Sequence, residues 1–376
     1  MREKLGRNDP YWCGSGLKYK KCHMSREKQE PLKLWEASKE FRKAFSTKYC
    51  LAPEFMKPQC SGTIVKAHTV PKSGSLQKIA HNGHVYSFVP SLENLNKYGG
   101  KLQPELIGIS KASAFTGFCT VHDNNIFSKI EKEPFLASQE QCFLLAYRAL
   151  AREIYMKKAQ VSSLDVLYKA NRGKPLEQQL AIQDMKRLIE EGSSAGLRDC
   201  EYHKIIYDKV FLGRDFSSVH AYVIELKEPP PIMCSGGLFP EQDFCGNQLQ
   251  DLLDLQTRPH FLSVSSFYGG QNGDVVFTWL SESDTTCRKF IDSLVNLPPQ
   301  RLTDALIRFF FEGENLYVQP DWWDNLSESN RTALVNRLSD SGNINLPRKS
   351  GYIAEDGIQY DNWPIFRVKS IGFEQL

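Results

Sequence analysis

Ten cysteines and eight histidines are spread over 376 residues, and those in the first third fall at spacings that suit metal chemistry. Cys119 and His122 stand at the start of a segment that reads as a short helix, whose first turn aims both side chains at one point. Cys50 and Cys60, on a loop upstream, complete a four-ligand set of the kind that holds zinc in closed structural sites. His68 ends the β-prone run TIVKAH. By its position alone it suits a structural histidine or a zinc ligand in place of Cys50. Asp123, Asn124 and Asn125 follow His122 directly. Lys66, Lys72, Ser73, Ser75 and Lys78 flank His68 with cations and hydroxyls that fit a nucleic-acid backbone, or a solvated loop.

A second cluster lies in GRNDPYWCGSGLKYKKCH, residues 6–23, with Cys13, Cys22 and His23 as donors. So short and polar a segment orders only if metal binding supplies the folding energy. It resembles the SEC-C motif, written GRNDPCxCGSGxKYKxCC/H. The resemblance implies a zinc knuckle that docks onto another protein or the ribosome, an accessory rather than a catalyst. This chain departs from the pattern at Tyr11, where the motif has its first cysteine, so three ligands remain.

The order of TIVKAH, then TVPKSG, then the Cys119/His122 helix resembles the HNH (ββα-metal) nuclease arrangement. That resemblance, over about residues 50–130, implies a treble-clef-like hairpin and helix stapled by zinc. It places His68 as general base, Asp123 as a metal ligand with Asn124 beside it, and Mg²⁺ or Mn²⁺ as the catalytic ion. The family's strand-borne metal ligand falls at Ala67 and its last helical histidine at Phe127.

These residues need elements to hold them. Leu34, Ala37, Phe41 and Phe45 recur at helical spacing within 31–48, and helices are expected at 138–160, 175–192 and 200–213. SSVHAYVIEL, HFLSVSSF and DVVFTWL read as strands, the last two joined by the hairpin turn GGQNGD. Helices return at 284–296, 301–312 and 327–338. The paired Trp322 and Trp323 are read as core, and Cys142, Cys200, Cys234, Cys245 and Cys287 as small buried hydrophobes. In IAHNGHVYSF, His81 and His84 flank a turn and are expected as exposed imidazoles on a hairpin. Glu241, Asp243 and Asn247 lie in a Pro/Gly-rich loop, where they bind a ligand or precede a capped helix at Gln248.

The fold class is therefore α+β: a knuckle over 1–25, a zinc-stapled ββα domain over 26–135, a helical segment over 136–213 and an α+β domain over 214–376. Net charge is +3, yet twelve lysines and arginines against six acids lie between Met1 and Lys43, an arm that suits phosphates. No apolar run is long enough to span a bilayer, and the N-terminus lacks the apolar core of a secretory signal, so a cytoplasmic location is expected. No Gly-rich phosphate loop or Gly-x-Ser-x-Gly elbow is present. Two functions follow as expectations. One is a metal-dependent endonuclease, in a layout similar to anti-phage defence effectors. The other is a non-catalytic zinc-module adaptor for protein or RNA, associated with ribosome or chaperone.

Overall fold

A computed structural model describes residues 6–11, 13, 15–89, 91–313, 315–342 and 348–374, with Lys72, Ser73 and Leu92 described by their backbone only. In chain order the main elements are α1 (Leu34–Ala44), β1 (Ile64–His68), β2 (His84–Ser87), β3 (Glu105–Gly108), β4 (Ala114–Cys119), α2 (Thr120–Glu131), α3 (Gln139–Ala170) and α4 (Leu176–Gly213). They continue with β5 (Val219–Leu226), β6 (Ile232–Leu238), β7 (Leu262–Tyr268), β8 (Gly273–Leu280), α5 (Asp284–Val295), α6 (Pro299–Phe310), β9 (Leu316–Val318), α7 (Pro320–Asn325), α8 (Glu328–Ser341) and β10 (Ile365–Ile371). The class is mixed α+β, with a helical middle and a sheet-rich C-terminal region. No helix of the described residues is long and apolar enough to cross a membrane.

The chain forms two compact units. The first gathers Met1–Thr47, Ser91–Glu93 and Met156–Gly196; the second gathers Lys48–Pro90, Asn94–Tyr155 and Leu197–Leu376. In the first, α1 salt-bridges through Glu40 to Lys169 at 2.8 Å. Gly173, at φ +68°, leaves no room for a side chain, because a Cβ there would sit 2.7 Å from Pro31.

The second unit is built on an eight-stranded antiparallel sheet in the order β10-β5-β8-β7-β6-β9-β2-β3. All of β8 is buried, so its sequence GDVVFTWL shows no polar alternation. Helices α5 and α6 supply Phe290, Ile291, Leu294, Leu306, Phe309 and Phe310 to the core around Trp279 and Phe277, and Trp323 joins it while Trp322 packs at its edge. The opening of α3 is buried on every side, from Cys142 to Ala151, and apolar there except for Arg148, as suits a helix enclosed by protein. Asn82 and Gly83, both at positive φ, make the two-residue turn into β2, with His81 and His84 exposed and bridged across it.

Some expectations change here. The helices foreseen at 175–192 and 200–213 are one helix, α4, because Gly192 and its serine and alanine neighbours continue the turns. Helix α3 runs on to Ala170. No helix starts at Gln248; instead Gln242 and Gln248 bridge, and Asp243 accepts from the Cys245 and Asn247 amides. Cys245 is exposed, whereas Cys142, Cys200, Cys234 and Cys287 are buried.

Strands β1 and β4 form a separate two-stranded sheet, with Ile64 opposite Cys119 and His68 opposite Ala114. Behind it Phe118, fully buried, meets Phe115 and Phe127 edge-on. Truncating Phe118→Ala should cost about 3–5 kcal/mol, read as a lower urea midpoint; an unchanged midpoint would show that α2 does not depend on this packing.

Candidate metal centres

The register of β1 and β4 sets the larger site. Cys119 is the last residue of β4 and immediately precedes α2, a position where the positive end of the helix favours a thiolate. Burial pushes its thiol up, but the His122 amide, the Ser61 hydroxyl and amide and the Cys60 thiol together bring it down to about 6. One helical turn on, His122 is fully buried. The segment before Cys60 reaches the same place because Tyr49 and Leu51 donate their amides to Thr116 and Gly117 of β4, which lays Cys50 alongside. Burial, and the neighbouring Cys119 and Cys60, raise the Cys50 thiol.

The donor atoms of Cys50, Cys60, Cys119 and His122 all lie within 4.8 Å of one another. His122 Nδ1 is 3.3 Å from Cys50 Sγ and 3.4 Å from Cys119 Sγ. A tetrahedral zinc with bonds of about 2.3 Å to sulfur and 2.0–2.1 Å to nitrogen sets such edges at about 3.5 Å. Three thiols and one imidazole in a buried pocket thus fit zinc, with the metal taking the charge that burial otherwise opposes. His122 Nε2 is buried without a hydrogen-bond partner among the described residues, so the sulfurs hold the ring from its other side. A closed sphere of this kind folds the chain around it and leaves no position for substrate.

The smaller site gathers Cys13, Cys22 and His23, again with donor atoms within 4.8 Å. Gly14 of its turn lies outside the described residues. Cys13 and Cys22 sulfurs are 3.3 Å apart. Tyr11, where a fourth ligand would stand, instead stacks on the His23 ring at 4.1 Å. Burial, with Arg26 adding to it, pulls His23 down to about 4, so the ring is neutral. Its tautomer is set by a buried relay. Arg26 Nε donates to Asn171 Oδ1 at 2.6 Å, which turns the amide nitrogen of Asn171 toward His23 Nε2 at 3.0 Å. That nitrogen only donates, so Nε2 accepts and the ring proton sits on Nδ1, facing Cys22 Sγ at 2.9 Å. A metal taken through Nδ1 needs the opposite tautomer and an acceptor behind Nε2. The donor set is of the zinc-binding kind, but its surroundings favour the metal less than those of the larger site.

The remaining predicted residues are placed as follows. His68 is half-buried, and its Nδ1 donates to the Ala112 carbonyl at 2.9 Å. Arg148 Nη1 donates to the His68 carbonyl at 2.8 Å, and Nη2 to Glu131 at 2.6 Å. His68 therefore lies by the end of α2. Asp123 lies in the first turn of α2, with Oδ1 buried and without a hydrogen bond. Burial raises its carboxyl, while Arg148 opposes this. Asn124, Asn125, Lys66 and Lys78 are exposed, Lys78 over the Tyr268 ring. Ser75 is buried on the Tyr268 backbone rather than offered to phosphate. The side chains of Lys72 and Ser73 lie outside the described residues.

A family model for the SEC-C motif matches residues 7–25. No curated protein and no solved structure matches the chain. The match and the two clusters agree on zinc binding.

Two substitutions separate the centres. Cys119→Ser should remove one zinc per chain by elemental analysis and lower the melting temperature; full metal retention would exclude Cys119 as a ligand. Asn171→Asp places an acceptor behind His23 and should slow zinc loss from the knuckle to a chromophoric chelator by about tenfold or more. Unchanged loss would mean that His23 does not hold the metal.

Proposed function

We propose that the zinc-stapled hairpin and helix, a treble-clef-like unit, is a non-catalytic binding module, and that with the N-terminal knuckle it forms an adaptor for RNA. The observation that carries this reading is the state of the two positions where a hydrolytic metal would need donors. Ala67 and Phe127 are both buried and apolar, and the guanidinium of Arg148 lies over the Phe127 ring at 4.1 Å. A fixed cation in that place repels a divalent ion instead of binding one.

The choice of RNA rests on charge. Lys18, Lys20, Lys21, Lys28, Lys33, Lys39, Arg42 and Lys43 are exposed in the first unit, and cations in such number meet a phosphate backbone by counterion release. A protein partner for the knuckle remains within the same reading, since a docking module presents a surface and no chemistry.

A second reading, a metal-dependent endonuclease, is favoured by one contact. With its Nδ1 proton given to the Ala112 carbonyl, His68 carries its lone pair on Nε2, the tautomer that a general base requires.

One experiment decides between them. Single-stranded RNA and plasmid DNA are incubated with the purified protein and Mg²⁺ or Mn²⁺. The adaptor reading expects RNA retention without cleavage, with affinity falling about a hundredfold or more between 50 and 200 mM salt when several phosphates are contacted. Cleavage that is lost in His68→Ala while zinc is kept would overturn it in favour of the nuclease.

A further inference from the structure

Far along the chain from both metal centres, three side chains of the second unit meet in an order that is chemically specific. His220 lies on β5, and Ser281 and Asp284 follow the end of β8 at the turn into α5. Register places His220 opposite Trp279, two residues before Ser281. His220 Nδ1 is 2.6 Å from Asp284 Oδ1, and His220 Nε2 is 3.2 Å from Ser281 Oγ. Asp284 is itself held by Trp279 Nε1 at 3.0 Å and by Arg288 Nε at 2.9 Å. Its carboxyl stays below the usual range: burial opposes this, but the hydrogen bonds from Trp279 and His220 and the charge of Arg288 outweigh it. Ser281 is exposed, while the imidazole is largely enclosed, 12% exposed at its side chain.

We propose that Ser281, His220 and Asp284 form a nucleophile–base–orienting triad that cleaves carboxylic esters at the surface of the second unit. A carboxylate on Nδ1 fixes the proton there and leaves Nε2 to accept, which is the arrangement that activates a serine. The Ser281 hydroxyl also lies 3.1 Å from the Ser218 carbonyl. That carbonyl already accepts the Ser281 amide at 2.9 Å, so turning the hydroxyl proton to Nε2 leaves it paired.

The reaction closes in two halves. Ser281 Oγ bonds to the ester carbonyl carbon as its proton passes to His220 Nε2, then the carbon–alkoxy bond breaks and that proton leaves on the alcohol. Water attacks the acyl-serine, gives a proton to Nε2, and the carboxylic acid departs as the proton returns to Oγ. Ser281 and His220 are catalytic in this scheme; Asp284 is a positioning residue. No metal takes part.

The test uses a tagged fluorophosphonate on the full chain, with and without a chelator. Its P–F bond breaks as phosphorus bonds to Oγ, so labelling reports an activated serine. Peptide mapping of the native protein should find the label on Ser281, undiminished by chelator. Ser281→Ala and His220→Gln should abolish it while melting temperature and RNA retention hold. Asp284→Asn should slow labelling by about a hundredfold or more, with partial rescue in Asp284→Glu. The proposal is overturned if native protein leaves Ser281 unlabelled, or if a folded His220→Gln variant labels at the native rate. Because RNA retention is read separately, either failure leaves the adaptor reading untouched.

Discussion

The hairpin of β1 and β4 holds its shape because a thiol at the end of one strand and an imidazole on the next turn of helix face two further thiols in a largely buried pocket. Three sulfurs and a ring nitrogen so close together, with burial opposing charge on Cys50, are tolerable once a cation neutralises them. The neighbouring structure follows from that closure. Cys119 must end β4 and open α2, so α2 folds back over the sheet, Phe127 is driven against Phe118, and the far end of the helix arrives beside His68 through the Arg148 bridge.

The same closure limits the chemistry. A four-ligand zinc has no vacant corner, so any reaction at this module would need a second ion. The side chains nearest in sequence to that task are spread along the helix: Asp123 near its buried start, and Glu131 committed to Arg148 at its end. Arg148 is the telling residue. Enclosed, 1% exposed at its side chain, it fixes the His68 carbonyl, pairs with Glu131 and covers Phe127, and a guanidinium so held keeps a positive charge where a metal would have to sit.

How much of this was legible depended on the range over which each signal acts. The knuckle and the Cys119/His122 pair could be read because ligand spacing on one turn is a local property. The strand runs and the GGQNGD hairpin were legible for the same reason, through alternation and turn residues. That β2 would pair with β9, joining residues 86 and 318, left no local trace, since pairing between distant strands is decided by the core they share. Helix α4 was divided at Gly192 because glycine weakens helix propensity, yet its neighbours carry the helix through. The Arg26–Asn171 relay that sets the His23 tautomer, and the meeting of His220 with Ser281 and Asp284, were illegible. Each of these residues reads as ordinary alone, and no periodicity links position 171 to 23 or 284 to 220.

The two kinds of site also differ in what the fold asks of them. Donors around zinc are buried, mutually repelling and useless without their ion, so their presence together is explained by structure alone. Ser281 has no such excuse. An exposed hydroxyl aimed at a histidine whose far side is held by a carboxylate contributes little stability, since exposed polar contacts are worth roughly a kilocalorie per mole or less. A solvated serine would serve the turn as well through its amide, which already closes it on Ser218. Two interactions on Asp284 besides His220, from Trp279 and Arg288, hold that carboxylate in one place. Rigid support behind a solvent-facing nucleophile is what chemistry requires and what packing does not.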